Sequence, residues 1–189
     1  MVMRKLSAFI FTTLDGYYKG PGEDIGWHLH GEEANAYARS MIRLENILLF
    51  GRKTYTFMAA YWPTEMAMQS DPEIARGMNS AEKIVFSRSL QQADWGPATI
   101  IGSHMTEAIA QLKQLPGKDM TLLGSGAILT QLADAGLIDE YQVMVDPVAI
   151  GAGTAVFAGV KQPLQLELTG SRSFANGTLL HTYRQAARN

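Results

Sequence analysis

Short apolar runs and segments of helical periodicity alternate along the first two thirds of the chain. Each run is short and almost uninterrupted by polar residues, which is typical of strands buried on both faces of a sheet. The segments between them carry apolar residues every three or four positions, as in helices with one buried side. Strands are therefore predicted at residues 6–12, 46–50, 83–86, 99–101 and 121–123. Helices are predicted at residues 32–44, 52–60, 106–115 and 126–135.

The pattern changes after Asp139, where strands follow one another without a helical segment. Strands are predicted at residues 141–150, 164–174 and 178–183. Asn176-Gly177 between the last two indicates a two-residue hairpin, since type I′ turns need a positive φ at both central positions. Parallel crossovers followed by an antiparallel end predict an α/β fold: a mixed, mostly parallel sheet with an antiparallel C-terminal hairpin, flanked by helices.

Two segments show neither the apolar runs of buried strands nor the helical spacing of apolar residues. Residues 14–31 contain five glycines and predict a long loop, and long loops inside compact domains are usually functional. Residues 61–79 are interpreted as irregular, with a short helix near residues 73–76.

Composition narrows the class of protein. The chain has 189 residues, no cysteine and a formal net charge of −2. Disulfides and thiolate metal sites are therefore excluded, and no general attraction to nucleic acid or to anionic membranes is expected. No apolar run approaches the roughly 20 residues that cross a bilayer. A single cytoplasmic domain over residues 1–189 is the expectation.

Candidate chemistry lies where strands meet helices. Gly51, Gly102 and the pair Gly124 and Gly126 each follow a strand and precede a helix, an arrangement that leaves backbone N–H groups open to a phosphate or pyrophosphate. The alternative is that glycine only eases a tight turn. Arg52-Lys53-Thr54 places two cations at a helix start, where the dipole disfavours them unless an anion is present. Ser87-Arg88 forms a second cationic loop, either phosphate-binding or solvated.

Other motifs are weaker. His28-Leu29-His30 could place two imidazoles together, but no second cluster follows, so no metal site is predicted. Nucleophile elbows, P-loops and HExxH helices are missing from the sequence, which disfavours hydrolases and kinases. Glu32 and Glu33 begin a helix, where the dipole alone accounts for acidic residues.

Several short motifs occur in a characteristic order along the chain. They are Thr13-Leu14-Asp15-Gly16-Tyr17, Asp24-Ile25-Gly26-Trp27, Gly51-Arg52-Lys53-Thr54-Tyr55, Tyr61-Trp62-Pro63, Lys83-Ile84-Val85-Phe86-Ser87-Arg88, Leu123-Gly124-Ser125-Gly126, Leu137-Ile138-Asp139-Glu140-Tyr141 and Pro147-Val148-Ala149-Ile150-Gly151-Ala152-Gly153. In this order and spacing the chain resembles the dihydrofolate-reductase-like superfamily, and more closely the stand-alone bacterial relatives of the reductase domain of the bifunctional riboflavin-biosynthesis deaminase–reductase. The resemblance covers about residues 5–184.

The resemblance implies an NADPH-dependent oxidoreductase that transfers a hydride to a pteridine- or ribosylaminopyrimidine-type heterocycle, such as 5-amino-6-(5-phosphoribosylamino)uracil. A homodimer is implied by analogy. Dihydrofolate reductase activity and a non-catalytic NADP-binding sensor or assembly module are the alternatives. The cofactor-binding residues implied are Gly51, Arg52, Lys53, Thr54, Ser87, Arg88, Gly124, Ser125, Gly126, Ala127 and Ile128.

The resemblance also implies roles on the substrate side. Asp15 would orient the substrate. A carboxylate five residues after the matching tryptophan is typical of dihydrofolate reductases, and counting from Trp27 leads to Glu32, which would be a partly desolvated proton source. Tyr17 and Tyr18 stand where riboflavin reductases usually have a basic or small residue. The substrate-binding residues implied are Trp27, Tyr17, Tyr55 and Trp62.

Overall fold

The computed structural model describes residues 3–186 as strands and helices joined by short loops. The first half consists of β1 (Leu6–Thr13), β2 (Tyr17–Lys19), a 3₁₀ turn (Pro21–Glu23), α1 (Glu32–Ile42), β3 (Ile47–Gly51), α2 (Arg52–Tyr61), α3 (Glu65–Ser70), α4 (Pro72–Ser80) and β4 (Lys83–Phe86). The second half consists of β5 (Ala98–Ile101), α5 (Met105–Gln114), β6 (Met120–Leu123), α6 (Gly126–Asp134), β7 (Glu140–Asp146), β8 (Thr154–Ala155), β9 (Leu166–Ser173) and β10 (Leu179–Gln185).

The main sheet has the strand order β5-β4-β3-β6-β1-β7-β10-β9 within the described residues. The first six strands are parallel, whereas β10 is antiparallel to both β7 and β9. The predicted fold class is therefore confirmed. Because parallel strands end at one edge, the loops after β4, β3, β6, β1 and β7 open on the same side of the molecule, where ligands of open α/β sheets bind.

Side chains that alternate along the strands fill a core on each face of this sheet. Leu49 and Leu122 pack with Leu129 of α6 and Ile109 of α5 on one face. Neighbouring positions of the same strands point the other way, so Phe50 belongs to a second cluster with residues of α2 and α4. The strands that carry the candidate site are therefore anchored from both sides.

The Gly-rich loop and the region 61–79 contain more structure than predicted. In the loop, β2 pairs with β8 in a separate two-stranded sheet. Between residues 61 and 79 the protein forms α3 and α4, each with a side-chain N-cap. Thr64 accepts a hydrogen bond from the Ala67 N–H, and Asp71 accepts one from the Ile74 N–H. Asp71-Pro72 is a helix-start signal, because proline suits the first helical position.

The hairpin between β9 and β10 is present, but its turn differs from the predicted type I′. Gly177 has φ +87° while Asn176 keeps a negative φ. The Gly177 N–H donates to Phe174 O, and the Phe174 N–H donates to Thr178 O. A three-residue loop with glycine in the left-handed position therefore replaces the two-residue turn. Asn176 contributes its side chain instead, accepting from the Thr178 N–H at 3.1 Å.

The predicted strand at residues 141–150 ends early, at Asp146. Pro147 follows and has no N–H to continue the ladder. The chain then turns into a loop that reaches back to the end of β1, where Val148 O accepts from the Leu14 N–H at 2.8 Å.

Lys83 carries its ammonium group into the interior at the start of β4, where its side chain is 2% exposed. The ammonium donates to the carbonyl of Ala81 at 2.7 Å and lies 4.5 Å from the ring centre of Trp95. Burial lowers the pKa of Lys83 from 10.5 to about 8. The native protein therefore holds this proton less tightly than the unfolded chain does.

Replacing Lys83 with methionine is expected to change how stability depends on pH. Between pH 8 and 10.5 the unfolded wild-type chain binds more protons at this position, so wild-type stability rises with pH there. The free energy of unfolding of the wild type should gain up to about 3 kcal/mol relative to Lys83→Met from pH 7 to 10.5. Urea denaturation at both pH values measures the gain, with exposed Lys161→Met as the control. A constant difference between Lys83→Met and wild type would contradict the assignment.

Candidate functional site

Two strand–helix junctions and one strand–loop junction meet at the carboxyl edge of the main sheet. In the strand register Gly51 lies opposite Phe86, and Leu49 lies opposite Leu122. The segments that follow β4, β3 and β6 are therefore neighbours in space, although more than 30 residues separate them along the chain. The predicted cofactor-binding segments 51–54, 87–88 and 124–128 come together at this edge.

Ser125 links the junction between β3 and α2 to the junction between β6 and α6. Its hydroxyl accepts from the Gly51 N–H at 2.8 Å and lies 2.7 Å from the hydroxyl of Thr54. Gly51 leaves no room for a side chain, since an added Cβ would stand 2.9 Å from the Ser125 Oγ. We call the unit formed by Gly51, Thr54, Gly124, Ser125 and Gly126 the glycine cradle.

The glycine cradle brings two helix N-termini side by side. Neither α2 nor α6 has a side-chain cap on its first turn. Gly124 and Ser125 both have positive φ, at 60° and 62°, so the chain enters α6 through a left-handed turn. Uncapped N–H groups at the positive ends of two helix dipoles form a suitable anion site. The donor set of the cradle therefore fits the phosphates of a dinucleotide.

Packing requires a glycine at position 126, and the predicted contact of Gly126 with the cofactor stays a prediction. A Cβ at this position would lie 2.8 Å from the Tyr18 ring, so β2 packs directly on the start of α6. Ala127 is exposed beside it, and Ile128 is half-buried against the core. The segment from residue 124 to 128 thus divides into an open turn and a packed helix start.

The two cations at the start of α2 have different environments. Arg52 is exposed, whereas Lys53 pairs with Glu23 at 3.0 Å. Glu23 also pairs with Lys19 at 2.8 Å, and the hydrogen bonds from Lys19 and Lys53 lower the pKa of Glu23. The anion that the sequence argument required near Lys53 is therefore supplied by the protein itself, from the Gly-rich loop.

Ser87 and Arg88 follow β4, one strand outward from Gly51. The Ser87 hydroxyl accepts from the N–H groups of Ser89 and Leu90, at 3.2 and 2.9 Å, and so shapes its own turn. Arg88 is exposed on that turn. Ser87 thus supports an exposed turn that places Arg88 one strand outward from Gly51.

The Asp15 carboxylate connects the end of β1 to the loop after β7. Its carboxylate accepts from the Thr13 hydroxyl at 2.5 Å and from the N–H groups of Ile150 and Gly151, at 3.1 and 2.7 Å. The Thr13 hydrogen bond, followed by that from Gly151, lowers the pKa of Asp15. The ionised carboxylate therefore positions the loop after β7. The contact of Asp15 with a substrate stays a prediction.

Glu32 does not lie in the environment that the sequence predicted for it. Its side chain is 80% exposed at the start of α1 and pairs with Arg39, which also binds Asp71 at 2.5 Å. The partly desolvated acid expected at this position is therefore absent. The count from Trp27 leads to the first turn of α1, but Arg39, two turns later, draws the carboxylate outward.

The four predicted substrate-binding aromatic residues do not form one wall. Tyr55 is 4% exposed, and its hydroxyl accepts from the backbone N–H of Trp95 at 2.8 Å, so Tyr55 belongs to the core. Trp62 follows the last residue of α2, about 15 Å from the glycine cradle by helix length, and donates to Met58 Sδ. Tyr17 and Trp27 are half-buried on the Gly-rich loop and remain candidates.

A buried carboxylate opposite the Gly-rich loop was missed by the sequence argument. Asp146 at the end of β7 is fully buried, and its Oδ2 lies 2.6 Å from His28 Nδ1. Asp146 also accepts from the Leu29 N–H at 3.2 Å and from the Thr178 hydroxyl at 2.7 Å. The only signal in the sequence was an acid at the end of an apolar strand, directly before Pro147. We call His28, Asp146 and Thr178 the histidine–aspartate cluster.

Hydrogen bonding decides the charge of Asp146. Burial by itself would raise the pKa of this carboxyl, but the hydrogen bonds from His28 and Thr178 outweigh burial and leave the pKa lowered. His30 lies beside the cluster, with its ring 4.9 Å from that of His28. Burial and the neighbouring His28 lower the pKa of His30. Between residues 3 and 186, no three His, Asp or Glu side chains are grouped as metal ligands.

Sheet order and site geometry together define an α/β protein with the dihydrofolate reductase fold. The family model of the RibD C-terminal domain matches residues 4–180. The chain therefore belongs to the RibD C-terminal domain family, as the motifs predicted.

One sequence relative and two solved structures are similar to this chain over nearly all of its length. The Bacillus subtilis protein YyaP, described as uncharacterized, is 28% identical over 180 residues, which cover 95% of this chain and 94% of YyaP. A deaminase/5-amino-6-(5-phosphoribosylamino)uracil reductase from Thermotoga maritima aligns with a TM-score of 0.69 at 16% identity, over 97% of this chain and 57% of that protein. Dihydrofolate reductase from Enterococcus faecalis, complexed with NADP(H), aligns with a TM-score of 0.65 at 16% identity, over 97% of each chain. These structures establish the fold.

No helix among the described residues is long and apolar enough to cross a membrane.

Proposed function

We propose that this protein is an NADPH-dependent reductase that transfers a hydride to a heterocyclic substrate of the pteridine or ribosylaminopyrimidine type. The observation that carries the proposal is the glycine cradle, in which Ser125 joins two uncapped helix N-termini at the carboxyl edge of a parallel sheet. Membership of the RibD C-terminal domain family supports it.

The chain would divide the cofactor among its three junctions. The N–H groups at the starts of α2 and α6 would hold the pyrophosphate, with Arg52 as the nearby cation. Arg88 would contact the adenosine 2′-phosphate, because a guanidinium matches a phosphate in charge and geometry. When bound, the nicotinamide supplies the hydride, and the protein supplies orientation and charge.

The substrate would lie between α1 and the ends of β1 and β7. Tyr17 and Trp27 would border it from the Gly-rich loop, and the Trp27 indole N–H is buried without an acceptor among the described residues. A buried donor of this kind is costly unless a ligand or water accepts from it. This feature suits a flat heterocycle with an acceptor at its edge.

Two measurements test the proposed function. NADPH should quench the fluorescence of the purified protein saturably, and NADPH should then be oxidised with either dihydrofolate or 5-amino-6-(5-phosphoribosylamino)uracil as the acceptor. Binding without turnover of either compound would favour the sensor or assembly module. No binding of NADPH would refute the proposal.

Arg88→Ala is expected to remove the preference for NADPH over NADH. Losing one charged hydrogen-bonding partner of the 2′-phosphate should weaken NADPH binding by about 10- to 100-fold and leave NADH binding unchanged. Isothermal titration with both nucleotides measures this difference. The exposed Arg76→Ala on α4 is the matched control. Equal losses for NADPH and NADH would contradict the assignment.

A homodimer is proposed by analogy with riboflavin-type reductases. Sedimentation at micromolar concentration tests it, and a monomer would refute it.

A further inference from the structure

We infer that His28, held by Asp146, is the group that delivers the proton in the reductive step. This inference rests on the proposed function and names the residue that completes its chemistry. It transfers the role of proton source from Glu32 to a histidine that the sequence had suggested only as a metal ligand.

The histidine–aspartate cluster fixes the orientation of the imidazole. The Asp146 carboxylate is ionised, and an ionised carboxylate only accepts hydrogen bonds. The ring nitrogen that faces it, Nδ1 at 2.6 Å, must therefore carry a hydrogen. The exchangeable proton of His28 then resides on Nε2, the nitrogen on the far side of the ring from Asp146. Thr178 and the Leu29 N–H complete the contacts of the carboxylate and prevent it from turning.

The position of the ring relative to the glycine cradle follows from the strand register. Gly124 N donates to Phe9 O of β1 at 3.2 Å. Phe11 lies two residues further toward the open edge, about 7 Å along the strand, and its ring centre is 3.9 Å from that of His28. The imidazole, carried by the Gly-rich loop, therefore packs on β1, the strand adjacent to β6, further toward the open edge than the turn that would hold the cofactor.

The environment of the ring suits proton transfer. The His28 side chain is 15% exposed, which leaves it partly shielded but open on one side. Trp27, whose indole N–H has no partner among the described residues, lies 6.2 Å away between ring centres. Trp27 and His28 therefore place two hydrogen-bond donors on neighbouring positions of the same loop.

The other acids near this edge are less suitable donors. Asp15 has a lowered pKa and its carboxylate is engaged by three donors, so it holds no proton near neutral pH. Glu32 is exposed and paired with Arg39. Asp146 itself is buried behind His28 and acts as a positioning residue.

In the proposed step the hydride forms a new C–H bond at the carbon of a C=N group. The nitrogen of that group takes the proton from His28 Nε2, and the C=N π bond is broken. The substrate gains two electrons, the nicotinamide is oxidised by two electrons, and His28 is left neutral until solvent returns a proton.

His28→Gln tests the inference, because glutamine retains a hydrogen-bonding amide but cannot titrate. We expect kcat to fall by about 10²- to 10⁴-fold while the Kd for NADPH stays within about twofold. The charged and titratable neighbours of the ring are Asp146 on β7 and His30 on the loop. His104→Gln, an exposed histidine at the start of α5, is the control.

A measurement without turnover gives an independent result. Nitrogen NMR of the imidazoles should show His28 protonated at Nδ1 in its neutral form. NADPH should move the His28 signals but not those of His104.

The possible outcomes separate the two proposals. Failure of NADPH to bind refutes the reductase itself. NADPH binding with full activity in His28→Gln refutes the role of His28 and leaves the reductase in place. A neutral His28 protonated at Nε2, or His28 signals unaffected by NADPH, likewise overturns this inference even where neither acceptor is reduced.

Discussion

Gly124→Ala should fold but bind NADPH about 30- to 100-fold more weakly than the wild type, a loss of roughly 2–3 kcal/mol. Gly124 has φ +60°, and a β-carbon in this left-handed region costs roughly 1–2 kcal/mol. Its Cβ would lie 3.5 Å from Thr54 Cγ2, an ordinary contact, so packing is not broken. The methyl group would instead project into the turn where the phosphates are proposed to approach the backbone.

Gly102→Ala is the matched control for this experiment. Gly102 also follows a strand and precedes a helix, but its φ is not positive and an added Cβ would meet only Ser87 O, at 3.5 Å. It stands at the end of β5, three strands from β6. Fluorescence titration should give unchanged affinity for this variant. Equal affinities in both variants would show that the turn at Gly124 does not approach the cofactor.

Asp146→Asn should lower the free energy of unfolding at neutral pH by about 2–4 kcal/mol. The buried carboxylate is the acceptor for His28, Thr178 and the Leu29 N–H, and removing one partner of a buried charged network has costs of this order. An amide supplies one acceptor and adds a donor that faces other donors. Chemical denaturation with circular dichroism measures the change.

The loss of unfolding free energy in Asp146→Asn is expected to become smaller in acid. The pKa of Asp146 in the folded protein lies below the unfolded value of 3.8, so its stabilising contribution is complete above about pH 4 and disappears as the pH falls through the folded pKa. The difference between wild type and Asp146→Asn should therefore shrink in acid. Exposed Asp94→Asn is the control and should stay close to wild type at every pH. An Asp146→Asn difference that does not shrink as the pH is lowered below about 4 would contradict the role of the ionised carboxylate.

The glycine cradle could be predicted from sequence because its signals are local. An apolar strand, a glycine and a helix start are adjacent in the chain, and parallel strands necessarily end at one edge of the sheet. The positions of Gly51 and Gly124 at the ends of two parallel strands therefore predicted that they lie close together. The hydrogen bond from the Gly51 N–H to Ser125 agrees with this prediction.

The histidine–aspartate cluster could not be predicted in the same way. His28 and Asp146 are 118 positions apart, and they meet only because β7 pairs with β1 in a register that sets Asp146 beside Thr13. The expected partial burial of Glu32 was wrong for a related reason. Spacing from Trp27 placed it correctly at the start of α1, but the direction of its side chain depends on Arg39, whose partner Asp71 lies in another helix.

The two halves of the site draw on separate parts of the chain. The glycine cradle is complete within residues 51–126, whereas the histidine–aspartate cluster needs Asp146 and, through the final hairpin, Thr178. We therefore expect substitutions in the loop at residues 174–178 to alter the proposed proton delivery without changing the turn that is proposed to hold the cofactor. If both proposals hold, the last hairpin is the segment where acceptor chemistry can change while the nucleotide site stays as it is.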